Sequence, residues 1–397
     1  MAFFGNDAIN RVNLHYAVAS IAGAAGGAFV LAYFLHAGVS VPLTLCAMTG
    51  ILIGRFLFRP AILPLGIRFG LKPLLIFGVL SEGAVYPLLA FIHGLNWALI
   101  AYCVLSSIAA TFYWTCYHAY FASLGDEEHR GHQIGAREAV AAIVGIVAPL
   151  AGAWGLVTVG PVITFTLVGV VQAAAAIPLF GAPNVSVPKS APGAARAARF
   201  GVAIFLNDGW LGGTYYYVFQ VALFVTLSRS IAAYGGVLAL TALLSAGISA
   251  FLGRHIDRGH GQRAVVLAFV VTAAVLALRA ASVGNPWLAV LANAAGAFVV
   301  ALFVPVEMTA IYNVAKASPD PLRFHIATEG AWDVGGALGC VVGAAMAWNG
   351  VSLSYAILLG LVSCLVSGTL LWRYYGAHPA AGGVDVEPRA ADPFAPP

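Results

Sequence analysis

Seven ionisable side chains stand deep inside long apolar runs, where a charge is costly unless it meets water, a ligand or an opposite charge. They are Asp208, Glu307, Glu329 and Asp333 in the second half of the chain and Arg55, Glu82 and His118 in the first. Carboxyl groups drawn out of water hold a proton more readily, and like-charged neighbours strengthen the effect. Asp208, Glu307, Glu329 and Asp333 are therefore candidates for proton coupling, with structural ion pairing as the competing role. Asp208 and Asp333 each lie nine residues into their runs, which at 1.5 Å per residue is roughly 13 Å deep, near the middle of a bilayer. Glu329 and Asp333, four apart, share one helical face. Gly335, Gly339 and Gly343 form a ridge on another face, suited to close helix contact.

Arg55 has two open readings: a pair with Glu82, which spares both charges isolation, or a contact with an anionic ligand through its planar donor fork. His118 either titrates near neutrality or is a hydrogen-bonded core histidine. Tyr117, Trp210 and Tyr215 are candidates to line a cavity and stack on a ligand. Tyr215 follows Asp208 by seven residues, two helical turns, and so is expected on its face.

These residues need membrane-spanning helices to hold them. The chain is 61% hydrophobic and 9% charged, with a mean hydropathy of +0.91, which excludes a water-soluble globular domain. A bilayer core takes about 20 apolar residues per helix. Apolar runs at 11–36, 41–67, 71–94, 96–124, 134–157 and 161–181 form one set, and runs at 199–227, 231–253, 264–283, 286–315, 324–348 and 353–375 a second. The expected fold is an all-α polytopic membrane protein of about twelve helices in two pseudo-symmetric six-helix bundles. Residues 1–183 form the first bundle, a Pro/Ser/Ala-rich linker follows at 184–198, and residues 199–375 form the second. Residues 376–397, rich in Pro, Gly and Ala, are expected to be a disordered tail.

Basic residues cluster at the even-numbered connections: Arg59, Arg68 and Lys72; Arg130 and Arg137; Lys189, Arg196 and Arg199; Arg254, Arg258 and Arg263; Lys316 and Arg323. Near the odd-numbered ones stand only Arg229 and Arg279. The positive-inside rule then puts both termini in the cytoplasm, and the first helix is read as an uncleaved span. The high Ala and Gly content points to a bacterial cytoplasmic (inner) membrane. A net charge of +4, dispersed along the chain, does not suggest nucleic-acid binding. Cys46, Cys103, Cys116, Cys340 and Cys364 all fall in apolar runs without Cys-x-x-Cys spacing, so no metal or cofactor is expected. The run DEEHRGH at 126–132 reads as a solvated loop with local ion pairs, or as a regulatory segment.

The halves also repeat. YHAYFASLGDEEHRGH aligns with YNVAKASPDPLRFH, matching Tyr117 with Tyr312, Ala122-Ser123 with Ala317-Ser318 and His132 with His325, while Arg11 opens the first run as Arg199 opens the seventh. The connection GRHIDRGHGQR supplies Gly253, Asp257, Arg258, Gly261 and Arg263, and LPLGIRFGLK supplies Arg68, Gly70 and Lys72, with Leu63 and Ile67 standing where the first motif would have Gly and Asp. In this the chain resembles the major facilitator superfamily, whose inner-loop pattern is G-x-x-x-D-R-x-G-x-R/K. GIVAPLAGAWG in the fifth run is similar to a proline-glycine motif of that family's antiporters, with Ala148 and Ala153 in glycine positions, and reads as a packing and kinking segment.

The resemblance implies a secondary transporter that places a small-molecule substrate between the halves near the membrane midplane, an arrangement for which this superfamily is itself the reference example. It implies alternating access, with protons and the lipid bilayer as further partners and a monomer as the working unit. The inner-loop residues then serve either as a gate or as anchors of a tight turn among carbonyl ends and lipid phosphates. An enzyme is not expected, because no connection is long enough for a catalytic module and no HExxH, GxSxG or phosphate loop occurs. A facilitated-diffusion uniporter and a non-transporting membrane scaffold or assembly factor stay open beside the coupled transporter.

Overall fold

The computed structural model describes residues 7–124, 130–252 and 261–378, with side chains at all of these except 130–142, 248–252, Tyr312 and Lys316. The expected tail, the run DEEHRGH and the residues Gly253, Asp257 and Arg258 lie wholly or largely outside the described residues, as do the side chains of His132 and Tyr312.

Among the described residues twelve long helical stretches follow one another, with one short turn of helix, Ala194–Ala197, in the linker and no strand. They are α1 (Asp7–His36), α2 (Val41–Phe69), α3 (Leu71–Phe91), α4 (Trp97–Leu124), α5 (Arg130–Thr158) and α6 (Pro161–Phe180). In the second half come α7 (199–226), α8 (Ile231–Leu252), α9 (Gly261–Ser282), α10 (Pro286–Lys316), α11 (Pro321–Trp348) and α12 (Leu353–Ala377). Nine of the twelve meet both the length and the apolarity needed to cross a membrane; α5 and α8 add the shorter apolar pieces Ile143–Thr158 and Ile231–Gly247. Helix starts follow local chemistry. Proline opens α6, α10 and α11, where its missing N–H costs nothing, and the Asn285 and Asp320 side chains accept from the N–H groups of Leu288 (3.1 Å) and Leu322 (2.9 Å).

The packing repeats with the helices. Within the first half α1 lies on α5 and α6, α3 on α4 and α6, and α2 on α4; within the second α7 lies on α11 and α12, α9 on α10 and α12, and α8 on α10. Adding six to each helix number turns one set into the other. The halves meet where α2 lies on α11 and α5 on α8, two contacts that exchange under the same operation. This is the twofold relation expected from the sequence repeat.

Close helix contact is made by glycine. A Cβ on Gly335 would lie 2.0 Å from the Leu206 carbonyl oxygen, and one on Gly209 2.1 Å from that of Trp332. The ridge Gly335, Gly339 and Gly343 therefore seats α11 on α7, as its spacing suggests. Gly152 of α5 packs equally hard on the Ala25 carbonyl of α1, and Ala153 on Gly235 of α8, so the proline-containing segment of α5 packs both within its bundle and across the seam. Gly335→Ala is expected to lower stability by about 1–3 kcal/mol, because backbone rather than a movable side chain blocks the methyl group. Gly50→Ala, whose site has no atom within 4 Å, is the matched control and leaves the unfolding temperature in detergent unchanged or slightly raised.

Candidate functional site

Two charge pairs face each other across the seam. On α2, Arg55 and Arg59 are four residues apart; on α11, so are Glu329 and Asp333. Arg55 Nε lies 2.9 Å from Asp333 Oδ1, an ion pair outside hydrogen-bond alignment, and its Nη2 lies 3.7 Å from Glu329 Oε2. Arg59 Nη2 donates to Asp333 Oδ2 and its Nη1 to Thr115 Oγ1 of α4. Asp333 is 0% exposed and Arg59 2%, so water plays no part in neutralising them. His118 of α4 brings Nε2 to 3.7 Å from Glu329 Oε1 and stacks on His325 with ring centroids 5.7 Å apart.

This arrangement corrects the pairing of Arg55 with Glu82. Arg55 points from α2 across the seam to α11, whereas Glu82 of α3 accepts from Gln172 Nε2 of α6 at 2.6 Å. Glu82 borders a cavity of about 60 Å³ inside the first bundle with Tyr86, Tyr102 and Ser106. Arg59 went unnoticed as a site residue because its basic character fitted a connection; its four-residue offset from Arg55 is the signal that could have found it. Arg279, also counted with a connection, is buried at 4% exposure inside the second bundle.

The remaining acids continue away from the seam cluster. Asp208 of α7 accepts from Trp332 Nε1 at 2.8 Å and lies within electrostatic reach of Glu329. Glu307 of α10 is 3% exposed, its Oε2 has no hydrogen-bond partner among the described residues, and it feels the charge of Asp208. The four acids thus stand on three helices, Glu307 on α10, Asp208 on α7, and Glu329 and Asp333 on α11.

The aromatic candidates divide. Tyr117 is buried in a stack with Tyr16 (5.6 Å between centroids), Tyr113 (5.9 Å) and Phe121 (6.1 Å). Trp210 donates to the Leu359 carbonyl at 2.9 Å, capping the break between the two parts of α12. Tyr215 leaves the face of Asp208, because Gly212–Val218 is a π-helical turn that rotates everything beyond it relative to an ideal α-helix. The expectation of a shared face assumed 3.6 residues per turn throughout.

The inner-loop residues bind chain to chain. Gly70 has φ +80°, and a Cβ there would lie 2.4 Å from Asn184 Oδ1. Asn184 accepts from the Lys72 N–H (3.1 Å) and donates to the Phe69 carbonyl (2.8 Å), while Lys72 Nζ donates to the Ala182 carbonyl (2.8 Å). Lys72 thus neutralises carbonyls at the end of α6, and Arg68 lies over the Phe69 ring at 5.0 Å. Of the second motif, Gly261 opens α9 against Tyr375 and Arg263 is exposed. At the other end of the seam the Tyr234 hydroxyl of α8 donates to Gln220 Oε1 (2.7 Å) and lies 3.3 Å from the Ala28 carbonyl of α1. Its ring packs on Phe29 and Phe224.

Two six-helix bundles related by a twofold exchange, touching through charges on one side of the seam and aromatic rings on the other, define a polytopic membrane protein of transporter architecture. The sequence profile of the Major Facilitator Superfamily matches residues 13–231, more than half of the chain, and the chain belongs to that superfamily. In fold it is similar to the crystal structure of the human organic anion transporter MFSD10 (TETRAN), with a TM-score of 0.69 and 14% identity over 92% of this chain and 99% of that one. It is also similar to an auto-inhibited POT family peptide transporter, with a TM-score of 0.62 and 12% identity over 98% of each chain. Among curated proteins none matches the chain in sequence.

Proposed function

We propose that the chain is a secondary transporter that moves a small molecule by alternating access, with protons coupled through Asp208 and Glu307. The bundles at 1–183 and 199–375 are the moving bodies, and the end bearing the linker faces the cytoplasm, in keeping with its basic connections. The observation that carries the reading is a charge count. Of the four buried carboxyl groups of the second half, Asp333 and Glu329 engage the two guanidinium groups that face α11. Asp208 and Glu307 are left without a cation among the described residues, and an uncompensated charge in such a place is relieved by binding a proton.

Alternating access then has a physical basis. Opening the halves on the charged side must part Arg55 and Arg59 from α11; opening them on the other must part Tyr234 from α1. Proton gain or loss at Asp208 changes the field on Glu329 and so shifts the balance between the two closures. The structural relatives transport organic anions and peptides, which makes charged organic solutes the first class to screen.

The test is flux from purified protein in liposomes under a proton gradient imposed in either direction. Accumulation that a protonophore collapses is the expected result. Flux that ignores the gradient would leave a facilitated-diffusion uniporter, and no flux of any solute would leave a membrane scaffold.

A further inference from the structure

We infer that Arg279, Tyr215 and Phe219 form a binding site for a small monoanion inside the second bundle, between α7, α9 and α10. The Arg279 guanidinium carbon lies 3.7 Å from the Tyr215 ring centroid and 4.2 Å from that of Phe219. Its Nη1 donates to the Tyr215 carbonyl at 2.6 Å. None of the ion pairs among the described residues includes it, and its Nε is buried without a hydrogen-bond partner. Two ring faces and one carbonyl offer only partial negative charge to a whole positive one. A buried cation so placed lacks a counter-charge that the described residues do not supply.

A second donor points at the same spot. The Tyr215 hydroxyl is buried and has no hydrogen-bond partner among the described residues. Both it and Arg279 approach α10 at Gly296, where a Cβ would lie 2.5 Å from Arg279 Nη2 and 3.2 Å from Tyr215 Oη. Glycine at 296 thus lets both groups press directly on the α10 backbone, so that the guanidinium and the hydroxyl lie side by side, and the π-helical turn Gly212–Val218 stands in α7 where Tyr215 turns to α9. A guanidinium fork beside a phenolic O–H suits a single negative charge, either a carboxylate, which matches the fork, or a halide.

The site is tested with the full-length protein in detergent, in sodium gluconate buffer, by titrating chloride in one arm and acetate in the other while following the unfolding temperature. A ligand of the folded state raises that temperature with concentration, so a saturable rise in at least one arm is expected, and the arm that responds tells halide from carboxylate. Arg279→Gln is expected to abolish the rise. Tyr215→Phe, which keeps the ring under the guanidinium and removes only the hydroxyl, is expected to move the titration midpoint upward about tenfold, as for one lost hydrogen bond to a charge. No rise in the wild type, or an unchanged rise in both variants, overturns the proposal. So does a lowered unfolding temperature in Arg279→Gln with an unchanged response to the anion, since that is the mark of a purely structural cation. Should Arg279→Gln fail to fold, Tyr215→Phe decides alone. The readout is binding, so it stands or falls apart from proton-driven flux.

Discussion

Asp333→Ala is expected to destabilise the protein by about 3–5 kcal/mol, the usual cost of removing one member of a buried charge pair and leaving the other behind. Asp333 is fully buried and meets two guanidinium groups, so its loss strips the main counter-charge from Arg55 and Arg59 together. Arg59 has no water to turn to at 2% exposure, and Thr115 offers it a dipole rather than a charge. Asp333→Asn, which keeps the shape, is expected to lose nearly as much. A double variant, Arg59→Ala with Asp333→Ala, should be less damaged than the sum of its parts, because the second change removes the charge that the first exposed. Thermal unfolding in detergent, followed by tryptophan fluorescence, measures all three. Wild-type stability in Asp333→Ala would mean that α2 and α11 do not hold each other by charge.

The second large effect is on coupling. Glu307→Gln is expected to reduce gradient-driven accumulation to the level of passive exchange while substrate exchange at equal pH continues. Glutamine copies the protonated carboxyl group in size and neutrality, so the variant is locked in the proton-loaded form and an imposed gradient has nothing to act on. Because Glu307 has no cation partner among the described residues, neutralising it breaks no ion pair and stability should be close to wild type, in contrast to Asp333. Asp208→Asn is expected to act in the same direction, keeping an acceptor for Trp332 Nε1. If both variants still accumulate substrate against its gradient as the wild type does, neither acid carries the proton.

What the sequence by itself determined is what a bilayer and a helix impose locally. Lipid requires runs of about 20 apolar residues, so the twelve helical stretches were legible as runs, and the helix ends moved by only a few residues. The helical period placed Glu329 beside Asp333 and set Gly335, Gly339 and Gly343 apart as a packing ridge, because both features lie within one element. The repeat of the halves was legible for the same reason.

What only the tertiary structure decided is which residues of different helices meet. A span that is apolar on all sides has no wet face to fix its rotation about its axis, so the sequence cannot say whether Arg55 looks back to Glu82 or across to Asp333. Packing settles it, as α2 turns its arginines to α11 and α3 turns Glu82 to Gln172. The same holds for Trp210, drawn to the open carbonyl of Leu359, and for Arg59 and Arg279, which composition placed near loops and packing buried. Tyr215 shows the finer limit: one π-helical turn in α7 carries it from the face of Asp208 to Arg279, and that turn forms where glycines at 209, 212 and 213 let α7 settle onto Trp332 and the α11 glycine ridge.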